Sequence, residues 1–135
     1  MSQKNKHITE LMSLANEVKP LIEALASEMA VITTRMAELE ELGLIYASEY
    51  WRKDSDGQPK YFYLLYPLKQ GEPRRRDYIG CDPARIEAAR QGLARAKEYD
   101  ALAVELGCLE GRARSGLFGM KDALRHLSNK SNRIF

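Results

Sequence analysis

The 135-residue sequence predicts an α+β protein with four parts: an N-terminal helical coiled-coil arm, a three-stranded antiparallel β-meander, a long packing helix and a flexible basic tail. Apolar residues follow a heptad spacing in the first third of the chain, turn clusters separate three strand-like runs in the middle, and a capped helical stretch follows them. We expect the arm to cover residues 1–43, the sheet and its helix to cover 44–110, and a partly disordered tail to cover 111–135.

In the predicted arm, apolar or small residues alternate at spacings of three and four, the pattern of the a/d seam of a coiled coil. A seam of about five heptads needs a partner helix, so the arm either forms a homodimer or folds back on its own chain. Pro20 predicts a kink near Val18 or a second helix that starts at Pro20, and Gly43 is expected to end the arm as a C-cap. A homodimer would use the seam residues Ile8, Leu11, Val18, Ile22, Leu25, Met29, Ile32, Met36 and Leu39.

The middle of the chain predicts three strands, at residues 44–52, 60–68 and 73–80, separated by turn-forming residues at 54–57 and 69–72. Aromatic-rich runs joined by short turns are typical of an antiparallel meander. We therefore expect a three-stranded sheet in which each strand pairs with the next along the chain.

Side-chain alternation predicts two apolar faces on the middle strand of this sheet. Tyr61, Tyr63 and Leu65 share one face, opposite Phe62 and Leu64 on the other. We expect one face to pack on the following helix and the other to pack on the arm or on a second subunit.

Asp82 and Pro83 have the residue types of a helix N-cap and first helical position, so they predict the start of the long packing helix. Glycines predict its end near residues 107–111, with a short additional helix at 120–127. Its expected packing stripe consists of Ile86, Ala89, Leu93, Ala96, Tyr99, Ala103 and Leu106.

The net charge of +2 conceals an uneven distribution. Residues 1–42 carry four Lys or Arg against seven Glu, whereas residues 52–76 carry seven basic side chains against three acidic ones, and residues 111–135 carry six against one. Such asymmetry is typical of chains that contact a polyanion. The candidate nucleic-acid-binding residues lie on the predicted sheet and its turns: Arg52, Lys53, Lys60, Lys69, Arg74, Arg75 and Arg76.

The basic residues and the aromatic residues of the predicted sheet each have a second interpretation. The basic residues also fit a solvated edge that prevents aggregation. The aromatic residues fit either exposed rings that stack on bases or cross-strand pairs that hold a small sheet together.

Other classes of function lack a residue pattern that would support them. Cys81 and Cys108 are too few for a zinc site and have no clustered histidines, so we expect no metal and no cofactor. No phosphate-binding loop, nucleophile elbow or zinc-protease motif occurs, so we expect no enzymatic activity. No apolar run is long enough to span a membrane, and the charged start predicts a cytoplasmic protein.

Two segments resemble known DNA-binding families. Residues 36–45 followed by 60–64 resemble the recognition helix and wing of winged-helix regulators. Residues 58–102 are similar to the three-stranded sheet plus helix of integrase arm-type DNA-binding domains, and to small coiled-coil proteins of transposons and plasmids. The second resemblance implies that the sheet face bearing Arg74 and Arg76 contacts DNA.

The sequence thus predicts a non-enzymatic, dimeric accessory protein that binds nucleic acid, with DNA as the expected partner, in a mobile genetic element. The alternative is a protein–protein adapter or inhibitor that docks through its coiled-coil arm or aromatic sheet. The two differ in their salt response, because phosphate-driven binding weakens steeply as salt rises and a hydrophobic interface does not.

Overall fold

The computed structural model describes residues 5–129 and confirms the α+β class. The elements follow one another as α1 (Lys6–Leu42), β1 (Ser48–Lys53), β2 (Pro59–Leu65), β3 (Arg76–Gly80) and α2 (Pro83–Leu127). The three strands form one antiparallel sheet in the order β1-β2-β3, so the predicted meander is confirmed.

Helix α1 is a single element that contains Pro20, so of the two alternatives for that proline the division into two helices does not occur. The predicted C-cap is confirmed. Gly43 has a φ of 106°, and its N–H donates to the carbonyl oxygen of Leu39 at 3.0 Å. A glycine adopts this left-handed conformation without the steric cost that a Cβ imposes, and the hydrogen bond satisfies a carbonyl at the helix end.

The β1–β2 turn is fixed by the side chain of Asp54, whose Oδ1 accepts from the backbone N–H groups of Asp56 and Gln58 at 2.9 Å each. Gly57 completes the turn with a φ of 79°. This is the Asx-type turn chemistry that the residue types predict. The first strand begins at Ser48, later than expected, because the preceding residues contact α2 instead of pairing in the sheet.

The described chain divides into two compact units. The sheet unit covers residues 35–103 and contains the end of α1, the whole sheet and the first part of α2. The helical unit contains the remaining described residues, 5–34 and 104–129. Both helices contribute residues to both units.

The core of the sheet unit lies between one face of the sheet and α2. Phe62, Leu64 and Ala89 are buried there. The predicted packing of the long helix on the sheet is confirmed for Ile86, Ala89 and Leu93. The expected stripe residue Leu106 belongs to the helical unit instead. The half-buried residues around this core are Ile45, Ala47, Trp51, Tyr66, Ile79, Ile86 and Leu93.

The chain that leads into the sheet makes a close backbone contact with α2. The N–H of Ile45 donates to the carbonyl oxygen of Gly92 at 3.1 Å, and Gly92 is buried. A Cβ added at Gly92 would lie 2.6 Å from Cγ1 of Ile45, nearer than van der Waals contact allows. Only glycine therefore permits this approach.

Within the sheet unit, the end of α1 pairs with α2 through polar contacts around the fully buried Leu39. Arg35 forms a bidentate bond with Glu98, with Nε–Oε2 at 2.7 Å and Nη2–Oε1 at 3.1 Å. This hydrogen bond holds the pKa of Glu98 below its ordinary value. The Nε of Arg95 donates to the Gly43 carbonyl oxygen at 2.7 Å, which ties the end of α1 to α2.

In the helical unit, α2 continues as helix to Leu127, so the expected helix end near residues 107–111 is wrong. Gly111, Gly116 and Gly119 all lie within the helix, and the expected short helix at 120–127 is its last part. Each of these glycines costs about 1 kcal/mol relative to alanine, which a long helix tolerates when tertiary contacts compensate. The predicted tail beyond Asn129 lies outside the described residues.

The structure changes the interpretation of the seam on α1. Ile32 and Leu39 are buried within a single chain. Four further seam residues are half-buried: Val18, Leu25, Met29 and Met36. The other three predicted interface residues are exposed: Ile8, Leu11 and Ile22. Of the two alternatives, folding back on the chain accounts for the buried seam residues.

Replacing Gly92 with alanine is expected to destabilise the protein by about 1–3 kcal/mol, because the new Cβ overlaps the Ile45 side chain. Ile45 has little room to move, since its own N–H is bonded to the Gly92 carbonyl. The control is Gly107→Ala, a helical position with nothing within 4 Å, where alanine is expected to stabilise by about 0.5–1 kcal/mol. Urea unfolding measures both, and equal stability of the two variants would contradict the close contact.

Acid is expected to remove the contribution of the Arg35–Glu98 pair. Because the folded pKa of Glu98 lies below its ordinary value of 4.5, the pair stabilises above that value and loses its effect as pH falls through the folded pKa. Urea unfolding across this pH range should give a larger free energy of unfolding for wild type than for Glu98→Gln near neutral pH. The difference should vanish in acid. Glu87→Gln, an exposed change without an ion pair, serves as the control and should show no such convergence.

Candidate nucleic-acid interface

The face of the sheet turned away from the core carries aromatic and basic side chains together. Cross-strand partners share a face, and residues two apart along a strand share it as well. The strand register places on this face Ser48, Tyr50, Arg52, Tyr61, Tyr63, Leu65, Arg76 and Tyr78. We call this surface the outer face and include in it Lys53 and Lys60, which border it at the β1–β2 turn and line the same depression as its tyrosines.

A row of three tyrosines, the tyrosine ladder, crosses the three strands of the outer face. The ring centroids of Tyr50 and Tyr63 are 6.0 Å apart, and those of Tyr63 and Tyr78 are 5.0 Å apart. These are the edge-on and tilted contacts that stabilise cross-strand aromatic pairs, so the structural interpretation of these rings holds. The ladder is also accessible, because Tyr50 and Tyr78 remain 42% and 54% exposed.

Three of the predicted basic residues lie together at one end of the outer face. Arg52 pairs with Tyr61 across β1 and β2, and the Nζ of Lys60 lies 5.7 Å from the centre of the Tyr61 ring. Lys53 joins them around a shallow depression in the surface. Two tyrosines of the ladder, Tyr63 and Tyr78, line the same depression, together with the acidic turn residues Asp54 and Asp56.

Arg76 lies at the opposite end of the outer face. It pairs with Leu65 at the end of β2, and its guanidinium is 5.8 Å from the centre of the Tyr63 ring. At the usual rise of a strand, the four residue steps from Tyr61 to Leu65 separate the two basic ends by about 13 Å. The outer face thus carries positive charge at both ends, with the aromatic ladder between them.

The arginine triplet does not act as a single patch. Arg74 precedes β3, and its Nε donates to the Tyr66 carbonyl oxygen at 3.0 Å. The guanidinium of Arg75 lies 4.3 Å from the centre of the Tyr66 ring and pairs with Asp77 at 3.2 Å. Arg74 is therefore not beside Arg76 on the outer face.

Arg74 lies instead in a depression formed by the start of the sheet and α2, a site that the sequence did not indicate. In that depression, the hydroxyl of Tyr46 donates to Oδ1 of Asp100 at 2.8 Å, and this bond raises the pKa of Tyr46. Lys69 lies apart from both depressions, in the turn before β3, where its carbonyl accepts from the N–H of Glu72.

The four basic residues of the outer face have no ion pair within residues 5–129, in contrast to several other arginines. Arg35, Arg90 and Arg125 form salt bridges with Glu98, Glu49 and Asp122 respectively. An arginine engaged in this way has lost part of its capacity for phosphate. The basic side chains free to bind an external anion on the outer face are Arg52, Lys53, Lys60 and Arg76.

The sequence alone does not identify the ladder, although it shows the aromatic residues that form it. The missing information is the register, which sets Tyr50 and Tyr78 opposite Tyr63. Counting outward from the two turns approximates this register, but it fails at the irregularities beside Lys53 and between Phe62 and Tyr63.

In the described part of the chain, no group of three His, Cys, Asp or Glu residues is placed to hold a metal ion, and neither helix has an apolar stretch that would cross a membrane. Cys81 and Cys108 are both exposed and unpaired. Comparison with known proteins gives no match: no family model fits the chain, and neither a curated protein nor a solved structure is significantly similar to it. Its function must therefore be inferred from its own residues.

Proposed function

We propose that this chain is a non-enzymatic nucleic-acid-binding protein whose outer sheet face contacts the nucleic acid, with DNA as the expected partner. One observation carries the proposal: Arg52, Lys53, Lys60 and Arg76, which have no ion pair within residues 5–129, lie on the two sides of an exposed tyrosine ladder. The resemblance to transposon and plasmid proteins, and to integrase arm-type domains, makes an accessory role in a cytoplasmic mobile element the proposed context.

The chemistry of this face suits both parts of a nucleotide. A guanidinium presents parallel N–H donors that match phosphate oxygens, and lysine supplies a compact positive charge. A tyrosine ring offers a flat surface on which a base can stack, which stabilises single-stranded binding by about 1–3 kcal/mol per base. A sheet ribbon can alternatively enter the major groove of a duplex, where its arginines reach phosphates or guanine edges.

An adapter or inhibitor that binds another protein is the second candidate function. The exposed rings of Tyr50 and Tyr78 favour it, because aromatic side chains are common at the centres of protein interfaces. The two candidates separate by salt. Nucleic-acid binding releases counterions and loses affinity steeply with rising salt, whereas an aromatic protein interface changes little.

Replacing Arg52, Lys60 and Arg76 together with glutamine is expected to weaken nucleic-acid binding and flatten its salt dependence. Each lost phosphate contact should reduce the slope of log affinity against log salt by about one. Fluorescence anisotropy with labelled random duplex and single-stranded DNA, at several salt concentrations, measures both quantities. The side chains are at the surface, so the fold should be retained.

The matched control is Arg85→Gln with Lys97→Gln and Lys19→Gln, which removes the same number of positive charges from exposed helix positions that have no ion pair in the described chain. The control should lose less affinity than the outer-face variant. Equal losses would mean that binding follows net charge and not the outer face. No binding of the wild-type chain to DNA or RNA at low salt would leave the adapter function in its place.

Tyr78→Leu distinguishes the two modes of binding, because it removes an exposed ring from the ladder while keeping an apolar side chain. If bases stack on the ladder, this variant should lose about tenfold in affinity for single-stranded DNA and little for duplex. A similar loss for both would favour insertion of the sheet into a groove. No loss for either would exclude the ladder from the contact.

A further inference from the structure

The helical unit exposes an unusual amount of apolar surface for a pair of helices in water. Among its described residues, only Ile32 and Leu109 are buried. Large apolar side chains that remain 40–70% exposed in this unit are Ile8, Leu11, Met12, Leu14, Leu21, Ile22, Val31, Val104, Leu117, Phe118, Met120, Leu124 and Leu127.

Much of this exposed surface lies on the apolar stripes of α1 and α2, the faces that a helix normally packs against a partner. On α1, Ile8, Leu11 and Ile22 occupy seam positions of the heptad. On α2, Leu117, Met120, Leu124 and Leu127 follow each other at spacings of three, four and three, again the pattern of a packing stripe. Both helices therefore carry coiled-coil stripes that their own chain leaves uncovered.

We propose that a second copy of the chain covers this surface, so that the helical units of two chains form a four-helix bundle. Full burial of an aliphatic side chain removes about 60–120 Å² of apolar area from water, so each half-exposed one leaves about 30–60 Å² to be buried. The seven exposed stripe side chains together offer on the order of 200–400 Å² of apolar area per chain, which approaches the apolar share, about 450 Å², of a standard interface of roughly 800 Å² per partner.

Charge favours a copy of the same chain as the occupant. Residues 5–34 of α1 carry four Glu against two Lys, whereas residues 111–129 of α2 carry four Lys or Arg against one Asp. Two copies related by a two-fold axis bring acidic α1 beside basic α2 of the partner at two equivalent places. Packing α1 against α1 in the way of a simple two-stranded coil would bring like charges together instead.

The proposed interface differs from the seam that the sequence predicts for a homodimer. It keeps Ile8, Leu11 and Ile22, omits the internally buried Ile32 and Leu39, and adds the end of α2. The proposal does not rest on nucleic-acid binding, because the helical unit contains none of the outer-face residues.

Light scattering after size-exclusion chromatography of the full chain tests the proposal. Wild type should have twice the 15.4 kDa mass of one chain. Leu11→Glu with Leu124→Glu places charges on both stripes and should give a single-chain mass. Since both side chains are already exposed, at 40% and 66%, the variant removes nothing from the core of one chain.

The matched control is Val31→Glu with Val104→Glu, two exposed positions on the same helices but off the two stripes. This control should remain a dimer. The fluorescence of Trp51, the chain's single tryptophan, reports whether the sheet unit is intact in each variant. A single-chain mass for wild type at tens of micromolar, a larger oligomer, or a dimeric Leu11/Leu124 variant would overturn the proposal.

Discussion

The sheet unit depends on the contact between Ile45 and Gly92. The missing side chain at Gly92 lets the backbone of Ile45 reach a helix carbonyl, and the Ile45 side chain then fills the space. This contact fixes the chain next to α2 three residues before β1 begins. Because the side-chain period of a strand is two, fixing the entry of β1 also decides which face of the sheet packs on α2. Phe62 and Leu64 lie inward as a result.

Packing of one sheet face on α2 also divides the basic side chains into those bonded within the chain and those available to an external anion. Arginines near the helices are engaged within the chain: Arg35 binds Glu98, Arg95 binds the Gly43 carbonyl, and Arg90 binds Glu49. Side chains on the opposite side of the sheet have no such partners, because no acidic residue of α1 or α2 pairs with them in the described chain. A basic surface therefore remains beside the tyrosine ladder, although the net charge of the whole chain is only +2.

Short-range patterns in the sequence predict the helices and strands well. Where these predictions fail, tertiary contacts give the reason. The helical periodicity of the arm, the Asp54 turn and the Asp82–Pro83 helix start each act over a few residues, and the helix, the turn and the helix start are confirmed. The spacing of the seam residues does not specify whether the partner helix belongs to the same chain. The sequence therefore does not show that Ile32 and Leu39 are buried within one chain. Arg74, Arg75 and Arg76 look alike in the sequence. They differ in the structure because β3 begins only at Arg76, and because successive side chains of a strand point to opposite faces.

The position of the sheet between α1 and α2 has a consequence for how the chain folds. Pairing the helix ends directly would require closing a loop of the 40 residues that separate Leu42 from Pro83, with an entropic cost that grows with loop length. The two hairpins close much shorter loops, and hairpins form within microseconds. Once the meander has formed, it shortens the effective loop between the helices. Early hairpin formation thus lowers the barrier to pairing two helices that are distant in sequence.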